Sequence, residues 1–373
     1  MIQTQEELLA VVERAKQVDA VGFDTEFVWE RTFYPQLGLI QIAMSTDDCV
    51  LIDPVAIKDL SPLAEIIEDP NIVKILHDCQ QDLFILCLAS GATSPKNIFD
   101  TRTAAGFAGL ASTISLQNLL KDMIGIELAK TESRTNWLQR PLSDKQLEYA
   151  LDDVKYLHEV REKTIEKATK SIKWMEEELG ELDNPNLYTN KDPYQQYKRV
   201  KGYGYLNYRG LAILREVTAW REGTAIAEDK PRKHILTDEA LIALCQEGPE
   251  SEKELAATKL LFGKKLYSYG KDIIAAVAKG NDVPKNDCPQ PPQPPENRNT
   301  IRKRVQDIKK FITSNSERYK VDPALIGTRA ELEAMAEPKL PLTGERHRML
   351  RGWRKEFMGK AQLQNLTGTT ITM

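Results

Sequence analysis

The stretch Ala20-Val-Gly-Phe-Asp-Thr-Glu-Phe27 determines how the first part of the chain folds. Its apolar residues predict a buried β-strand in which Asp24 and Glu26 stand two positions apart. Because side chains alternate between the two faces of a strand, both carboxylates leave the same face. Carboxylates this close together on an apolar strand repel each other unless cations lie between them. The pattern favours a metal site, and the alternative is a solvent-exposed strand that carries two surface acids.

The segments around this strand predict an α/β domain over residues 1–180. A Thr4-x-x-Glu7 capping box predicts a helix near the amino terminus. A second box, Ser143-x-x-Gln146, predicts the start of a long helix that continues to the end of the domain. Short apolar runs predict further strands, at residues 38–44, 49–52 and 73–76. Strands first, followed by alternating strands and helices, indicate a mixed sheet covered by helices.

The rest of the chain is predicted to form two all-helical blocks. The predicted segments are a linker at residues 181–203, a first block at 204–280, a proline-rich linker at 281–297 and a second block at 298–373. The second linker has six prolines in 17 residues, which makes it a stiff spacer. The sequences Asp238-Glu-Ala-Leu-Ile and Asp322-Pro-Ala-Leu-Ile lie at similar places in the two blocks. We therefore predict two copies of one module.

Charge is divided unevenly along the chain. Residues 1–180 contain 18 Lys and Arg against 30 Asp and Glu, whereas residues 191–373 contain 33 against 23. An acidic first half favours the binding of cations, and a basic second half favours the binding of a polyanion such as nucleic acid. The asymmetry therefore predicts different functions for the two halves, with cations bound by the first and a polyanion bound by the second.

Composition argues against several classes of protein. The 28% of charged residues is typical of a globular protein. The longest charge-free stretch, residues 103–120, contains several polar residues, so we expect no membrane-spanning helix. The amino terminus has no basic segment followed by an apolar core, so we expect no secretory signal. Five scattered cysteines without a CxxC pair argue against a disulfide framework or a structural zinc site, and predict a reducing, cytoplasmic location.

Two further segments carry residues that fit a metal site. Asp82 falls in the first turn of a helix predicted after the fourth strand, where the helix dipole also favours a carboxylate. Tyr149 and Asp153 are four residues apart on the predicted long helix and therefore lie on one face. Asp152 is three residues from Tyr149, so spacing alone does not choose between the two aspartates. Taken singly, each of these residues also fits a structural role.

The acids and the tyrosine together resemble a known set of motifs. Asp24-x-Glu26, Asp82 and Tyr149-x-x-x-Asp153 resemble the DEDD family of 3′–5′ exonucleases, in the branch with tyrosine in the last motif. Four segments, in this order, are similar to bacterial ribonuclease D: VGFDTEFVWERTFYPQLGLIQIA, KILHDCQQDL, TESRTNWLQRPLS and QLEYALDDVKYL. The helical blocks resemble the helicase-and-RNase-D C-terminal (HRDC) modules of that enzyme, the first more closely than the second. The resemblance implies an α/β RNase H-like mixed-sheet exonuclease domain followed by two all-α HRDC-like modules.

The resemblance also implies a metal-dependent 3′–5′ exoribonuclease. Its cofactors would be two divalent metal ions, Mg²⁺ or Mn²⁺, which prefer oxygen ligands. Asp24 would bridge both ions, Glu26 and Asp153 would bind one of them, and Asp82 would bind the other. Tyr149, with an unperturbed pKa of about 10, would orient the attacking water. The expected substrates are RNAs with a single-stranded 3′ end, tRNA precursors above all, trimmed with release of nucleoside 5′-monophosphates.

Basic residues in two loops are candidates for RNA contact. Lys130 and Arg134 precede the predicted catalytic helix, and Lys230, Arg232 and Lys233 lie in a loop of the first helical block. Near a nuclease site, such residues would bind backbone phosphates. The alternative is that they are solvated surface charges, as most such runs are.

Two other functions agree with parts of the sequence. A DNA 3′–5′ exonuclease would use the same four acids, and a non-catalytic RNA-binding adaptor would share the basic helical blocks. The resemblance across both parts of the chain, without a P-loop helicase region, favours RNA as the substrate. Usable residues at all five motif positions favour an enzyme. We expect a monomer that needs no obligate protein partner.

Overall fold

The structure is a computed structural model, and it describes residues 1–128, 135–292, 298–336, 343–344 and 347–359. Its described residues group into two units by their contacts. The first unit lies within Met1–Val28, Leu37–Thr189 and Pro295–Met373, and the second lies within Trp29–Gln36 and Asn190–Pro294. Each unit has its own apolar core. The domain boundaries expected from the sequence stay a prediction.

A mixed sheet forms the centre of the first unit. Its strands among the described residues are β1 (Ala20–Val28), β2 (Gln36–Ala43), β3 (Cys49–Ile52), β4 (Val73–Leu76) and β5 (Ile98–Asp100). They lie in the order β3-β2-β1-β4-β5, with β2 and β3 antiparallel and with β1, β4 and β5 parallel. The β1–β4 pairing covers only Ala20 to Gly22. The rest of β1, which carries Asp24 and Glu26, therefore extends beyond β4.

Helices surround this sheet, as the sequence predicted for an α/β domain. They are α1 (Gln5–Ala15), α2 (Leu63–Ile67), α3 (Gln80–Ser90), α4 (Thr101–Phe107), α5 (Leu116–Ile124), α6 (Asp144–Lys155), α7 (Leu157–Lys167) and α8 (Ile172–Gly180). Both predicted capping boxes are confirmed, with Thr4 and Glu7 at the start of α1 and with Ser143 and Gln146 at the start of α6. The reciprocal hydrogen bonds satisfy backbone N–H groups that the first helical turn leaves unpaired.

The single long helix predicted after Ser143 is wrong, because the chain forms three helices there. Tyr156 leaves the α-helical conformation (φ −104°, ψ 4°) and separates α6 from α7. A turn separates α7 from α8, and Ser171 in that turn donates its hydroxyl to the Phe107 carbonyl oxygen at 2.7 Å. The changes of direction let α7 and α8 both pack against α4. The helical spacing of apolar residues did not reveal these breaks, because this spacing hardly changes across them.

The second unit is a helical module built on two long helices. Its α-helices are α9 (Tyr208–Ala227), α10 (Arg232–Ile235), α11 (Asp238–Glu247), α12 (Glu252–Ala257) and α13 (Gly263–Asp282). Helices α9 and α13 pack closely where Gly280 meets Ile213, because a side chain at Gly280 would collide with the Ile213 backbone. The segment 29–36 packs into this unit, where Phe33 lies buried beside Ala225 and Ile235.

The carboxyl-terminal helices belong to the first unit. They are α14 (Arg298–Tyr319), α15 (Arg329–Ala336) and α16 (Gly352–Met358). Trp353 on α16 is buried and stacks on Trp174 of α8, with ring centroids 5.7 Å apart and planes 27° apart. Phe357 packs against the same Trp174 ring. These helices therefore share the apolar core of the α/β domain, a grouping that the sequence did not predict.

Glu178 on α8 is the main polar link to these helices. Its carboxylate accepts hydrogen bonds from the Arg354 guanidinium at 2.6 and 2.7 Å and from Trp353 Nε1 at 2.8 Å. Arg348 donates to it as well, at 2.6 Å. Arg354 is only 4% exposed, so its charge depends on this carboxylate for compensation.

Replacing Glu178 with alanine should lower the free energy of unfolding by about 3–5 kcal/mol, because it leaves a buried guanidinium without its partner. Urea denaturation of the full chain measures this difference. The matched control is Glu176→Ala, an exposed acid on the same helix, which should change stability by less than about 0.5 kcal/mol. Equal effects of the two substitutions would contradict the proposed link.

The expectations about membrane-spanning helices and about disulfide bonds can be compared with the described residues. No helix among them is long and apolar enough to cross a lipid bilayer. All five cysteines are described and unpaired, which agrees with the prediction that the chain has no disulfide framework. Four of the five thiols are buried, and Cys49 is partly exposed.

Candidate active site

Three carboxylates converge at the end of β1. One oxygen from each of Asp24, Glu26 and Asp153 lies within 4.8 Å of the other two. Asp24 and Glu26 share a face of β1, and α6 packs against β1 so that Asp153 reaches the same place. Asp152, the alternative that helical spacing left open, is not part of this cluster.

Asp82 reaches the same region from the start of α3. Strand β4 ends at Leu76, and the chain turns sharply through Asp78, whose φ is 65°. The Asp100 carboxylate fixes this turn by accepting hydrogen bonds from the backbone N–H groups of Asp78 and Cys79, at 3.1 and 3.4 Å. Because β1 and β4 are parallel, their carboxyl ends lie at one edge of the sheet, which brings Asp82 near Asp24.

Thr25 holds the Asp82 side chain, a contact that sequence reasoning missed. The Thr25 hydroxyl donates to Asp82 Oδ1 at 2.5 Å, and both residues are at least nine-tenths buried. Strand alternation points Thr25 away from Asp24 and Glu26, so its position within the motif gave no reason to link it to the acids. The only available signal was a hydroxyl on an otherwise apolar strand.

Tyr149 lies beside Asp153, as the four-residue spacing predicted. Its hydroxyl lies close enough to the Asp153 carboxylate to hold down the pKa of that acid. Behind it lies the buried Trp137, with ring centroids 6.0 Å apart. The Trp137 carbonyl accepts a hydrogen bond from Arg140, whose guanidinium also binds the Asp53 carboxylate at 2.5 and 2.8 Å. This chain of contacts supports the tyrosine ring from the side away from the acids.

The acids have strongly shifted pKa values. Burial, followed by the charges of Asp153 and Asp82, raises the pKa of Glu26 to about 8. Burial raises the pKa of Asp153 to about 7 and that of Asp82 to about 6, although the Thr25 hydrogen bond limits the second shift. Burial and the three neighbouring acids also raise the pKa of Asp24 well above its usual range.

This arrangement fits divalent cations. These four carboxylates have no basic partner within the described residues, so they form a concentration of negative charge that disfavours its own ionisation. Carboxylate oxygens are the ligands that Mg²⁺ and Mn²⁺ prefer. A cation between these oxygens would remove the repulsion, so the donor set and its spacing agree with a divalent-metal site.

The metal-free protein should lose stability as pH rises. The acids bind protons more tightly in the folded state than in the unfolded chain. Their contribution is therefore complete below their ordinary pKa values near 4 and is lost as pH rises through the folded value, about 8 for Glu26. In EDTA, we expect the thermal midpoint to fall by roughly 5 °C or more between about pH 5 and about pH 8. Mg²⁺ should restore most of the loss, because it binds the folded state.

Asp24→Asn provides the decisive comparison, measured by scanning calorimetry near neutral to mildly alkaline pH. In EDTA this variant should be more stable than the unmodified chain, because one repelling charge is gone. It should gain little from Mg²⁺. The control is Asp19→Asn, an exposed acid just before β1, which should follow the unmodified chain in both conditions. An Asp24→Asn variant that is less stable in EDTA would contradict the repulsion argument.

The residues predicted to contact RNA fall into three groups. Lys130 and Arg134 lie outside the described residues. Arg232 is paired with the buried Glu222 carboxylate, with Nε at 2.7 and 2.8 Å from its two oxygens. Lys230 pairs with a neighbouring glutamate at 2.6 Å, and Lys233 is exposed at the edge of a cavity of about 600 Å³. Their RNA contacts stay a prediction, and Arg232 clearly has a structural role.

Comparisons with known proteins agree with this geometry. The profile of 3′–5′ exonuclease domains matches residues 1–168, and the profile of HRDC domains matches residues 210–277. Ribonuclease D of Desulfotalea psychrophila is 43% identical over 96% of this chain and 96% of its own length. The chain belongs to the ribonuclease D family. Ribonuclease D of Escherichia coli K12 is 32% identical over 98% of this chain and 97% of its own length.

A solved ribonuclease D structure has the same fold. The crystal structure of the Escherichia coli enzyme superposes with a TM-score of 0.84, at 32% identity, over 99% of this chain and 98% of that one. It is described as an exoribonuclease involved in structured RNA processing. As a family member, this chain is a 3′–5′ exoribonuclease of ribonuclease D type, with a divalent-metal requirement. The predicted fold class is confirmed, with a mixed-sheet exonuclease domain, an HRDC domain and a helical carboxyl-terminal segment.

Proposed function

We propose that this exoribonuclease trims the single-stranded 3′ ends of structured RNA in the cytoplasm, with tRNA precursors as its substrates, and acts as a monomer. The observation that carries the proposal is the carboxylate cluster at the end of β1. Asp24, Glu26, Asp82 and Asp153 would hold two divalent cations. When bound, these cations would activate water and stabilise the leaving 3′ oxygen of the phosphodiester, so that nucleoside 5′-monophosphates are released.

The chain's own residues orient and polarise this site. The Thr25 hydroxyl fixes one Asp82 oxygen and leaves the other to bind a cation. Burial, followed by the charges of Asp153 and Glu26, raises the pKa of Tyr149 far above neutrality, so its hydroxyl stays protonated. A protonated hydroxyl cannot serve as the general base, but it can orient a water molecule by hydrogen bonding. Tyr149 would therefore position the nucleophile beside the Asp153 carboxylate.

The substrate proposal rests on relatives and on chemistry. The Escherichia coli relative is described as acting in structured RNA processing. Hydrolysis one nucleotide at a time from a 3′ end requires that end to be unpaired when it reaches the acids. A tRNA precursor offers such an end next to a paired acceptor stem, where trimming would stop.

A matched set of substrates tests this function. We expect a tRNA precursor with a single-stranded 3′ extension to be shortened to a point close to the acceptor stem. The same precursor annealed to a complement of its extension should resist, and a DNA copy of the extension should be cut far more slowly. Equal rates on RNA and DNA would favour a DNA exonuclease, and equal rates on paired and unpaired ends would exclude 3′-end trimming of structured RNA.

A further inference from the structure

The second unit carries an unusual surface at the start of α13. Tyr267 is 91% exposed and Phe262 is 69% exposed. All nine phenylalanines of the chain are described, and Phe262 is the only exposed one among them. Rings this open to water contribute little to the core, and an aromatic ring offers a flat apolar surface on which another molecule can stack.

The same segment is basic. Residues 259–271, KLLFGKKLYSYGK, contain four lysines and no acid. Lys264 and Lys271 precede and follow Tyr267 by three and four residues, so all three lie on one exposed face of α13, opposite the buried face that includes Ile273 and Val277. Neither lysine forms a salt bridge within the ranges that the structure describes. The side chains attach roughly 10 Å apart along the helix axis, with the ring between them.

These lysines do not stabilise the helix. Lys264 lies in the first turn of α13, where the helix dipole disfavours a positive charge, and that turn has no acid. Glu228, whose carboxylate interacts with Lys264, already accepts hydrogen bonds from Lys230 and from the Tyr269 hydroxyl. Asp272 follows Lys271 in the sequence but forms no salt bridge with it in the part of the chain that the structure describes. Lys264 and Lys271 therefore remain available to bind an anion, because no salt bridge within the described residues holds either ammonium group.

From this combination we propose that the α13 face formed by Lys264, Tyr267 and Lys271, with Phe262 just before the helix, binds single-stranded RNA, with a base stacked on Tyr267 and phosphates on the two lysines. Alternating lysines and exposed aromatic rings complement a chain that alternates phosphates and flat bases. A protein partner of opposite charge would need acidic residues but no flat rings. The proposal deepens the proposed function, on which it rests, by naming a place in the HRDC domain where the RNA chain is held.

Binding of fluorescent oligouridine of about twelve nucleotides to the full-length chain tests the proposal. All proteins carry Asp24→Asn so that the RNA is not cut. Tyr267→Ala should weaken binding by about 5- to 100-fold with an unchanged salt slope, because a stacking contact involves no counterion release. Lys264→Gln and Lys271→Gln should each flatten the slope of log K against log salt by about 0.7. Tyr267→Phe should retain binding, because it retains the ring.

Three controls separate this proposal from its rivals. Tyr205→Ala removes an equally exposed ring of the second unit (93% exposed), and Lys279→Gln removes a lysine two turns further along α13; both should leave binding unchanged. On an abasic ribose-phosphate chain of the same length, Tyr267→Ala should have no effect. Normal oligouridine binding by Tyr267→Ala, or an equal loss in Tyr205→Ala, would overturn the proposal. Self-association that Tyr267→Ala abolishes, without any loss of RNA binding, would assign the surface to a second copy instead.

Hydrolysis of a dinucleotide by chains with an intact Asp24 separates this proposal from the proposed function. A dinucleotide is too short to need a second binding place, so Tyr267→Ala should cut it at the unmodified rate. Failure of the unmodified chain to cut it would count against the proposed function and leave the binding result valid. Slower cutting by Tyr267→Ala would show that the substitution disturbs more than this surface, and would overturn the stacking argument.

Discussion

Asp153→Asn should lower the single-turnover rate of RNA cleavage by about three orders of magnitude or more. An amide oxygen is a much weaker ligand for a hard cation than a carboxylate oxygen, so binding at the cluster with Asp24 and Glu26 should fail. Water activation and charge stabilisation together contribute several kcal/mol to such reactions, and each 1.4 kcal/mol is a factor of ten. The measurement is the decay of a 3′-extended RNA with enzyme in excess and saturating Mn²⁺.

Asp152→Asn is the matched control for this prediction. It is the adjacent residue on the same helix, makes the same change of charge, and lies outside the acid cluster. We expect its cleavage rate to stay within a few-fold of the unmodified rate. An active Asp153→Asn beside an inert Asp152→Asn would mean that the wrong aspartate and the wrong face of α6 had been assigned to the site.

Tyr149→Phe should lower the same rate by roughly 10²–10³-fold and leave it measurable. The substitution removes one hydroxyl that orients water, and it retains the ring that packs against Trp137. Because Asp153 keeps its carboxylate, the Mn²⁺ concentration that gives half-maximal cleavage should change little. Single-turnover cleavage measured across a Mn²⁺ titration gives the maximal cleavage rate and the half-maximal Mn²⁺ concentration separately.

Tyr156→Phe is the control for the tyrosine prediction. Tyr156 is half-buried at the junction of α6 and α7, where it packs against the apolar cluster that includes Leu119 and Leu120, and it should tolerate loss of its hydroxyl. If Tyr149→Phe were as active as Tyr156→Phe, orientation by the Tyr149 hydroxyl would be excluded. If Tyr149→Phe raised the Mn²⁺ requirement strongly, the hydroxyl would act on metal binding through Asp153 instead.

Local patterns predicted four strands of the sheet, although not β5 (Ile98–Asp100), and they predicted which of the acids share a face. Strand alternation places Asp24 and Glu26 on one face whatever the rest of the chain does. The four-residue spacing does the same for Tyr149 and Asp153, and both capping boxes fixed the starts of their helices. Asp82 was joined to the other acids only by the resemblance to the DEDD family, and the parallel pairing of β1 and β4 gives the physical reason for its position. The choice of Asp153 over Asp152 needed the packing of α6 on β1, which spacing does not contain.

Contacts between distant segments could not be predicted in this way. The Thr25–Asp82 hydrogen bond joins residues 57 positions apart. The Glu178–Arg354 pair joins residues 176 positions apart, and with it the carboxyl-terminal helices join the α/β domain. A proline-rich linker and an apparent internal repeat both suggested an independent module. Neither pattern shows which surface a helix covers, because that depends on complementary packing between elements.

The basic loop of the first helical block shows the same limit. The sequence left open whether its cations contact RNA or are solvated surface charges. In the structure, Arg232 is held by Glu222 and lies over the Phe33 ring, 4.5 Å from its centroid. A buried acid ten residues away left no signal in the local charge pattern. The exposed ring of Tyr267 was equally hidden, because an aromatic residue at helical spacing is more often part of a core.

The central claim is that the acids at the end of β1 bind the metal ions with which the chain removes nucleotides from the 3′ end. The most direct test is a time course with 5′-labelled single-stranded RNA, using the unmodified chain and Asp24→Asn in Mg²⁺ and in EDTA. We predict labelled products that shorten one nucleotide at a time in Mg²⁺, no shortening in EDTA, and none with Asp24→Asn. Cleavage that persists in EDTA or in Asp24→Asn, or label released at once as a mononucleotide, would contradict the account.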